Sequence, residues 1–305
     1  MRQKGLLLIL GTAVISGFSI FINKYSVSVI NPYIFTFLKN ILVVLALSGV
    51  IFGTKNWKIL KDLTIKQWRL LLIIGIVGGG LPFLLFFKGL SLTNAAEGSF
   101  IQKTMFIYVF LLASVFLKEK INKNFLIGGL FLMLGNLFLL GKTSLLALNK
   151  GTLLIFIATL FWAIENIISK YALKDLSAKI VGWGRMFFGS LFILIFLLAT
   201  RQLPLIGGLS LKQINWIMIT AVLLLGYVLT WYNGLKHIPV SEAATILTLG
   251  APITSFLNLV AGRGANIQEI LAGILIVFGV ILILGLKNIL ELTKKVSRLI
   301  YNAQT

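Results

Sequence analysis

The sequence has no cysteine, one histidine and only eight acidic residues among its 305 positions. The absence of cysteine excludes disulfides, thiol catalysis and zinc–thiolate sites. The single histidine, His237, excludes the metal motifs that need two histidines, and no acid is placed near it as in a catalytic triad. The sequence also lacks a Walker A motif. We therefore predict no catalytic residue, no metal site and no cofactor, which argues against an enzyme.

Charged residues are also scarce, at 12% of the chain, whereas soluble domains have about a quarter. Hydrophobic residues make up 58%, and the mean hydropathy is +1.01. Apolar runs near the roughly 20 residues that cross a bilayer as a helix recur along the chain. We count ten of them, at 5–23, 32–52, 69–88, 95–116, 124–141, 151–169, 181–200, 213–234, 240–261 and 268–286. The sequence thus predicts an all-α integral membrane protein with ten transmembrane helices.

The basic residues, 28 in number, give the chain a net charge of +20. If the N-terminus is placed inside, 18 of the 28 fall in segments on the inner side, seven outside and three within spans. This asymmetry follows the positive-inside rule and predicts that both termini are cytoplasmic. Basic loops at anionic lipid headgroups explain the charge better than nucleic-acid binding does. The expected partners are therefore membrane lipid and a small-molecule substrate, with no nucleic acid.

The second half of the sequence repeats the first. The stretch "FFKGLSLTNAAEGSFI" at 86–101 matches "WYNGLKHIPVSEAATI" at 231–246, and 5–27 matches 151–173. At nearly the same offset, Lys39 falls on Arg185. We therefore divide the chain into a first five-helix repeat at 1–145, a second at 146–286 and a basic amphipathic tail at 287–305. Because five is odd, the second repeat runs opposite to the first, an inverted arrangement found in many secondary transporters.

The phrases "ATLFWAIENIISKYAL" and "APITSFLNLV" and the five-plus-five layout resemble the drug/metabolite transporter superfamily, in its EamA-type branch. The resemblance covers about 5–286. It implies a secondary transporter in the inner membrane of a prokaryotic cell, which exports or exchanges small organic metabolites such as amino acids by alternating access. A lipid-linked sugar flippase or a passive channel is the alternative. The loop after the fourth span holds Glu119 in the first copy and "GRGAN" in the second.

Charges within the spans are the candidates for a substrate site, because each costs about 3 kcal/mol in the hydrocarbon. In the sixth span Glu165 lies beside Trp162 and Asn166, which share one helix face. Either these three bind substrate, or Glu165 forms a structural ion pair with Lys103 or Arg185; we include all three among the candidate binding residues. Lys103 is the natural partner of Glu165. The repeat-related pair Lys39 and Arg185 either faces the cavity as cations for substrate or forms structural ion pairs; we retain both readings and include them with Lys103 among the candidate binding residues.

Two further groups are candidates for gating or coupling. Glu97 and Glu242 either gate the cavity and couple transport to protons, or simply stabilise a helix start as first-turn anions. Three consecutive glycines followed by a proline interrupt the third span, where they form a hinge or allow close packing; they are Gly78, Gly79, Gly80 and Pro82. We expect the aromatic residues near these sites to contact lipid or pack, namely Phe86, Phe87, Tyr108, Trp231 and Tyr232.

Overall fold

The computed structural model describes residues 1–53, 57–120, 122–140, 149–263, 267–286 and 288–291. These residues form α-helices and contain no β-strand. The helices are α1 (Arg2–Val29), α2 (Pro32–Gly53), α3 (Trp57–Lys61), α4 (Ile65–Ile74), α5 (Leu81–Leu92), α6 (Ala95–Lys103), α7 (Met105–Phe116), α8 (Lys123–Leu140), α9 (Lys150–Ala172), α10 (Ala178–Ala199), α11 (Leu211–Leu235), α12 (Val240–Leu247), α13 (Gly250–Asn258) and α14 (Ile267–Leu284).

Nine stretches of the described chain are helical, apolar and long enough to cross a membrane. Three of them join two helices each: Ile65–Leu92, Glu97–Phe116 and Val240–Gly262. The segment predicted at 124–141 corresponds to the 18-residue helix α8, whose apolar stretch is shorter. The prediction of an all-α integral membrane protein is confirmed, with nine to ten spanning helices in the described part.

Polar contacts define the two ends of the bundle. At one end Arg2 bonds to Glu242 and Gln3 donates to Glu291 at 2.7 Å, so the described part of the tail lies beside the N-terminus. At the other end the Lys24 ammonium donates to the carbonyl of Thr93. We call the first end the N-face and the second the far face. The rest of the predicted tail, Lys287 and 292–305, lies outside the described residues.

The two halves begin equivalent helices with equivalent caps. Thr64 accepts from the backbone N–H of Gln67 at 3.3 Å, and the Gln67 side chain accepts from the N–H of Thr64 at 2.9 Å. Ser210 and Gln213, 146 residues later, form the same reciprocal pair with the same two distances. Such capping boxes satisfy backbone donors that have no partner within the helix. The repeat therefore includes the capping boxes at the N-termini of α4 and α11.

The halves also pack on each other through two equivalent glycine crossings. A Cβ atom on Gly89 of α5 would lie 2.7 Å from the carbonyl oxygen of Gly151 in α9. The repeat-related pair is Gly234 of α11 and Gly5 of α1, where the same distance is 3.2 Å. Any larger side chain would force these backbones apart, since glycine alone allows such close approach. Each half thus contacts the other in the same way, as a pseudo-two-fold axis requires.

Candidate functional site

A small cavity of about 60 Å³, lined by charged, polar and aromatic side chains, lies inside the bundle between helices of both halves. A single water needs roughly 10–15 Å³ of such volume, so the cavity in this conformation holds a few waters and no organic molecule. Five of the predicted site residues line or approach it. Its wall includes Lys39, Trp162, Glu165, Asn166 and Arg185.

Glu165 is the buried acid of the cavity, with 1% of its surface exposed. Its Oε1 atom accepts a hydrogen bond from the Tyr232 hydroxyl at 2.6 Å and another from Ser169 at 2.5 Å. Ser169 is one helical turn further along α9, while Tyr232 comes from α11. The carboxylate is therefore fixed by one partner on its own helix and one on a neighbouring helix.

The glycine run of the third span forms a π-helical turn, Gly75–Gly80, between α4 and α5. The turn leaves the carbonyl of Gly78 available to side chains: Trp162 donates its indole N–H at 2.9 Å and Arg185 donates at 3.1 Å. The next carbonyl, of Gly79, accepts from Asn40 at 3.2 Å. π-turns often occur at functional sites because they free backbone groups in this way.

The same glycines bring α10 against the third span. A Cβ on Gly79 would lie 2.0 Å from the backbone oxygen of Arg185, and one on Gly80 would lie 2.8 Å from Phe192. The break in the helix and the close packing therefore occur together at this point. Pro82 occupies the first turn of α5, where its missing N–H costs little.

Gly78 also separates the two charged groups of the second half. A Cβ at this position would lie 2.3 Å from Cγ of Glu165 and 3.2 Å from Nε of Arg185. The acid and the cation face each other across the glycine without forming a direct ion pair within the described residues. This arrangement keeps both groups at the cavity wall.

Lys39 has a different environment. It is 1% exposed, and its ammonium lies 3.6 Å from the ring centre of Phe87, 4.7 Å from that of Phe35 and 5.6 Å from that of Phe83. In the part of the chain that the structure describes, this ammonium has neither a carboxylate nor a hydrogen-bond acceptor as partner. Cation–π attraction to the rings is its main compensation.

The repeat relates these two cation sites. Lys39 corresponds to Arg185 and Phe87 corresponds to Tyr232, and in each half the aromatic ring lies against the cation. The acid breaks the symmetry, because the position equivalent to Glu165 is Ser19. The cavity therefore has a cation with a nearby acid on one side and a cation without one on the other.

Lys103 bonds elsewhere than the sequence suggested, whereas Asn166 lies on the cavity wall. The Lys103 ammonium donates to Ser16 of α1 at 2.8 Å, so the predicted pairing with Glu165 is wrong. Lys103 lies on α6, which packs against both α1 and α9, and its side chain turns toward α1. Asn166 does lie on the cavity wall, where its amide contacts the sulfur of Met105 at 3.5 Å.

The two glutamates predicted for gating lie at helix starts, away from the cavity. Glu97 is in the first turn of α6, where the Asn94 side chain accepts from its backbone N–H at 2.8 Å. Glu242 is in the first turn of α12 at the N-face and forms a salt bridge with Arg2 at 2.9 Å. Both positions suit an acid near the positive end of a helix dipole.

A further contact between the halves closes the N-face, and the sequence did not indicate it. The carboxylate of Glu119 accepts hydrogen bonds from the backbone N–H groups of Val240 and Ser241, at 2.8 and 3.1 Å, and from the Ser241 hydroxyl at 2.5 Å. Glu119 follows α7 of the first half and thus caps the start of α12 in the second half. The equivalent helix of the first half, α6, is capped by the side chain of Asn94 instead.

His237 lies in the turn just before α12, where partial burial lowers its pKa, as do the nearby charges of Lys4 and the N-terminus. No group of three or more metal-ligating side chains occurs among the residues that the structure describes. We expected the aromatic residues to contact lipid or pack, and this was wrong for Phe86 and Phe87, which line the cavity. Trp231 and Tyr232 are buried and pack inside the bundle.

The chain matches the EamA-like transporter family over residues 3–141 and again over 149–285. It is 23% identical to the uncharacterized transporter YyaM of Bacillus subtilis over 290 residues, which cover 93% of this chain and 94% of that protein. It is 26% identical over 254 residues to the riboflavin transporter ImpX of Fusobacterium nucleatum, covering 78% of this chain and 83% of ImpX.

A crystal structure has the same fold, with a TM-score of 0.73 over 92% of this chain and 98% of that one, at 15% identity. The family and these relatives are transporters, not enzymes. Together with the membrane-spanning fold, the match over nearly the whole sequence identifies this integral membrane protein as a member of the EamA-like transporter family, within the drug/metabolite transporter superfamily.

Proposed function

We propose that the protein is a secondary transporter that moves small organic metabolites, amino acids among them, by alternating access between its two halves. The observation that carries this proposal is the position of the cavity. It is small, its wall carries charged side chains among aromatic ones, and it lies between two halves that pack on each other through repeat-related contacts. Binding sites at the interface of inverted repeats are typical of such transporters.

The contacts at the N-face support a state in which the two halves are held together at this end of the bundle. Glu119 caps α12, and Arg2 bonds to Glu242, so the first half holds the second at this end. The sequence places Gly264 and Leu148 at the positions equivalent to Glu119 and Arg2. Neither residue has a charged side chain, so the sequence has no counterpart of Glu119 and Arg2 in the second copy. The conformation is therefore one of two related states, with the N-face held shut.

We further propose that the N-face is cytoplasmic in a prokaryotic inner membrane. Most lysine and arginine residues fall on this side, as the positive-inside rule requires. Export or exchange then begins with substrate reaching the cavity after the N-face contacts break. Glu165 is the candidate group for coupling to protons, because it is the acid that lines the cavity.

A lipid-linked sugar flippase would need a polar opening toward the membrane. The structure has a side groove of about 550 Å³ between α13 and α14, but apolar side chains such as Phe256, Leu259 and Ile274 dominate its lining. A sugar headgroup would find few hydrogen-bond partners there. This observation favours the transporter over the flippase.

Counterflow in proteoliposomes tests the proposal. Vesicles that contain the purified full chain are preloaded with one unlabelled compound, and uptake of a trace of the same labelled compound is followed. The panel comprises the amino acids and riboflavin, the latter because ImpX is named for it. A transporter gives transient accumulation above equilibrium for at least one compound, absent from protein-free vesicles. Uptake that never overshoots and never saturates would indicate a channel, and no uptake of any compound would refute the proposal for this panel.

A further inference from the structure

We propose that Lys39 binds the anionic group of the transported substrate, and that the substrate is a small organic anion with a flat apolar body. This inference rests on the proposed transport function and names the chemical class of its substrate. The anionic group is a carboxylate or a phosphate, because both offer the charged oxygens that an ammonium recognises.

The balance of buried charge is the first support. Among the described residues the buried charged side chains are Lys39, Lys103, Arg185 and Glu165, three basic and one acidic. Proteins rarely bury charges unless these are paired, because an unpaired ion loses its hydration without compensation. Basic side chains therefore outnumber acidic ones in the described interior of this bundle, and an incoming anion would stabilise their protonated forms.

Lys39 is the cation that this anion would meet. Arg185, its counterpart in the second half, donates to the Gly78 carbonyl and has Glu165 across the glycine. Lys103 donates to the Ser16 hydroxyl. Lys39 also lines the cavity, and its described neighbours are aromatic rings. Among these three cations it is the one without a hydrogen-bond acceptor in the described part of the chain. A structural lysine would be expected to bond to a carboxylate or a helix end, as Lys24 and Lys170 do.

The walls around Lys39 indicate the shape of the substrate body. Phe83, Phe86, Phe87 and Trp162 all line the cavity. Phe83 meets Trp162 edge to face at 5.5 Å between ring centres, Phe86 meets Trp162 tilted at 5.1 Å, and Phe83 and Phe87 stack at 5.8 Å. Rings in this arrangement present faces and edges that suit a flat apolar group. A purely inorganic anion would leave these surfaces unused.

The residues of the cavity wall also include buried polar atoms without a hydrogen-bond partner, namely the side-chain oxygens of Asn23 and Gln102 and Nε of Arg185. Asn23 donates to Ser19 at 2.9 Å, but its carbonyl oxygen is buried without a donor. A buried acceptor of this kind costs stability unless a ligand or water satisfies it. An N–H or O–H on the substrate body would do so. We therefore infer a substrate that has a carboxylate or phosphate group on a flat apolar body and at least one hydrogen-bond donor on that body.

The experiment compares anions with neutral partners of the same shape on the purified full chain. The pairs are benzoate with benzamide, 3-phenylpropionate with 3-phenylpropionamide, and phenyl phosphate with phenol. Binding is measured by isothermal titration and by the shift in melting temperature, for wild type, Lys39→Met, Lys39→Arg and Lys88→Met. Lys88 is the matched control, since it lies on α5 over Tyr33 and does not line the cavity.

We expect at least one anion to bind wild type about tenfold or more tightly than its neutral partner, a ratio that one charged contact supplies. Lys39→Arg and Lys88→Met keep this preference and Lys39→Met loses it. The pair that shows the effect distinguishes carboxylate from phosphate. If no pair shows a preference for the anion, or if the preference survives in Lys39→Met, the inference is refuted. Should Lys39→Met fail to fold, Lys39→Gln serves for the same comparison.

The two proposals can fail separately. Binding that prefers anions through Lys39 without counterflow of any compound would remove the transport function and leave the anion site. Counterflow of a neutral compound such as riboflavin, unchanged in Lys39→Met, would leave the transport function and remove the anion site.

Discussion

Tyr232 of the second half donates its hydroxyl to the carboxylate of Glu165 at 2.6 Å, deep inside the bundle. The bond joins α11 to α9 at the wall of the cavity, and Ser169 donates a second hydrogen bond to the same carboxylate. Tyr232 corresponds in the repeat to Phe87, which has no hydroxyl and lies against Lys39 instead. The two halves have therefore diverged at positions around the cavity.

The Tyr232–Glu165 bond leads to the first prediction. Tyr232→Phe removes one hydrogen bond and keeps the ring, so we expect a loss of about 1 kcal/mol in stability, together with altered transport.

Glu165→Gln should change transport, or the dependence of transport on pH, more than Glu97→Gln does, because Glu97 lies away from the cavity. Counterflow at several pH values measures this. Equal behaviour of Glu165→Gln, Glu97→Gln and wild type would contradict the assignment of Glu165 to the site.

The second prediction concerns the space at Gly78. In Gly78→Ala the new methyl group would lie 2.3 Å from Cγ of Glu165, so the acid must leave its bonds with Tyr232 and Ser169. We expect lower melting temperature and strongly reduced transport. Gly49→Ala is the control, because a Cβ there meets no atom within 4 Å. It should match wild type or be slightly more stable, since alanine favours helix. Full activity of Gly78→Ala would show that the position of Glu165 is unimportant.

The third prediction concerns the closed N-face. Glu119→Gln weakens the cap on α12, because a neutral amide is a poorer acceptor for backbone N–H groups than a carboxylate. We expect the N-face to open more often and residues of the cavity wall to become accessible from that side. The chain has no cysteine, so a single Ser16→Cys introduced at the wall reports this accessibility without a background signal.

The control for Glu119→Gln is Asp175→Asn, an exposed acid in the turn after α9 at the same face. Labelling of Ser16→Cys with a water-soluble thiol reagent should rise in Glu119→Gln and stay at the wild-type level in Asp175→Asn. An unchanged rate in both variants would mean that Glu119 does not hold the gate.

The fold could be predicted from the sequence more fully than the site. Length and hydropathy are enough to place spanning helices, because both are properties of each segment by itself. The repeat of 86–101 at 231–246 then relates the halves by direct comparison of the sequence with itself. The sixth-span cluster of Glu165, Trp162 and Asn166 was also predictable, since helical spacing places the three together. All three do line the cavity.

The partners of these residues were not predictable, because they depend on which helices are neighbours in space. Lys103 looked suited to Glu165 by charge, and α6 does pack against the helix of Glu165, but the lysine side chain turns to Ser16 of α1 instead. Trp162 donates to a backbone carbonyl that only the π-turn at Gly78 makes available. The repeat did hold one unused signal: Tyr232 matches Phe87, and a hydroxyl gained at a buried position indicates an acceptor nearby.

The central claim is that two antiparallel halves enclose the substrate, and the topology of equivalent residues tests it most directly. Lys4 and Lys150 are repeat-related, exposed and at the starts of α1 and α9. In single-cysteine variants Lys4→Cys and Lys150→Cys, a membrane-impermeant thiol reagent added outside intact cells should label only position 150. Labelling position 4 should require opening the cells. Labelling of both positions from the same side would contradict the inverted arrangement and with it the proposed mechanism.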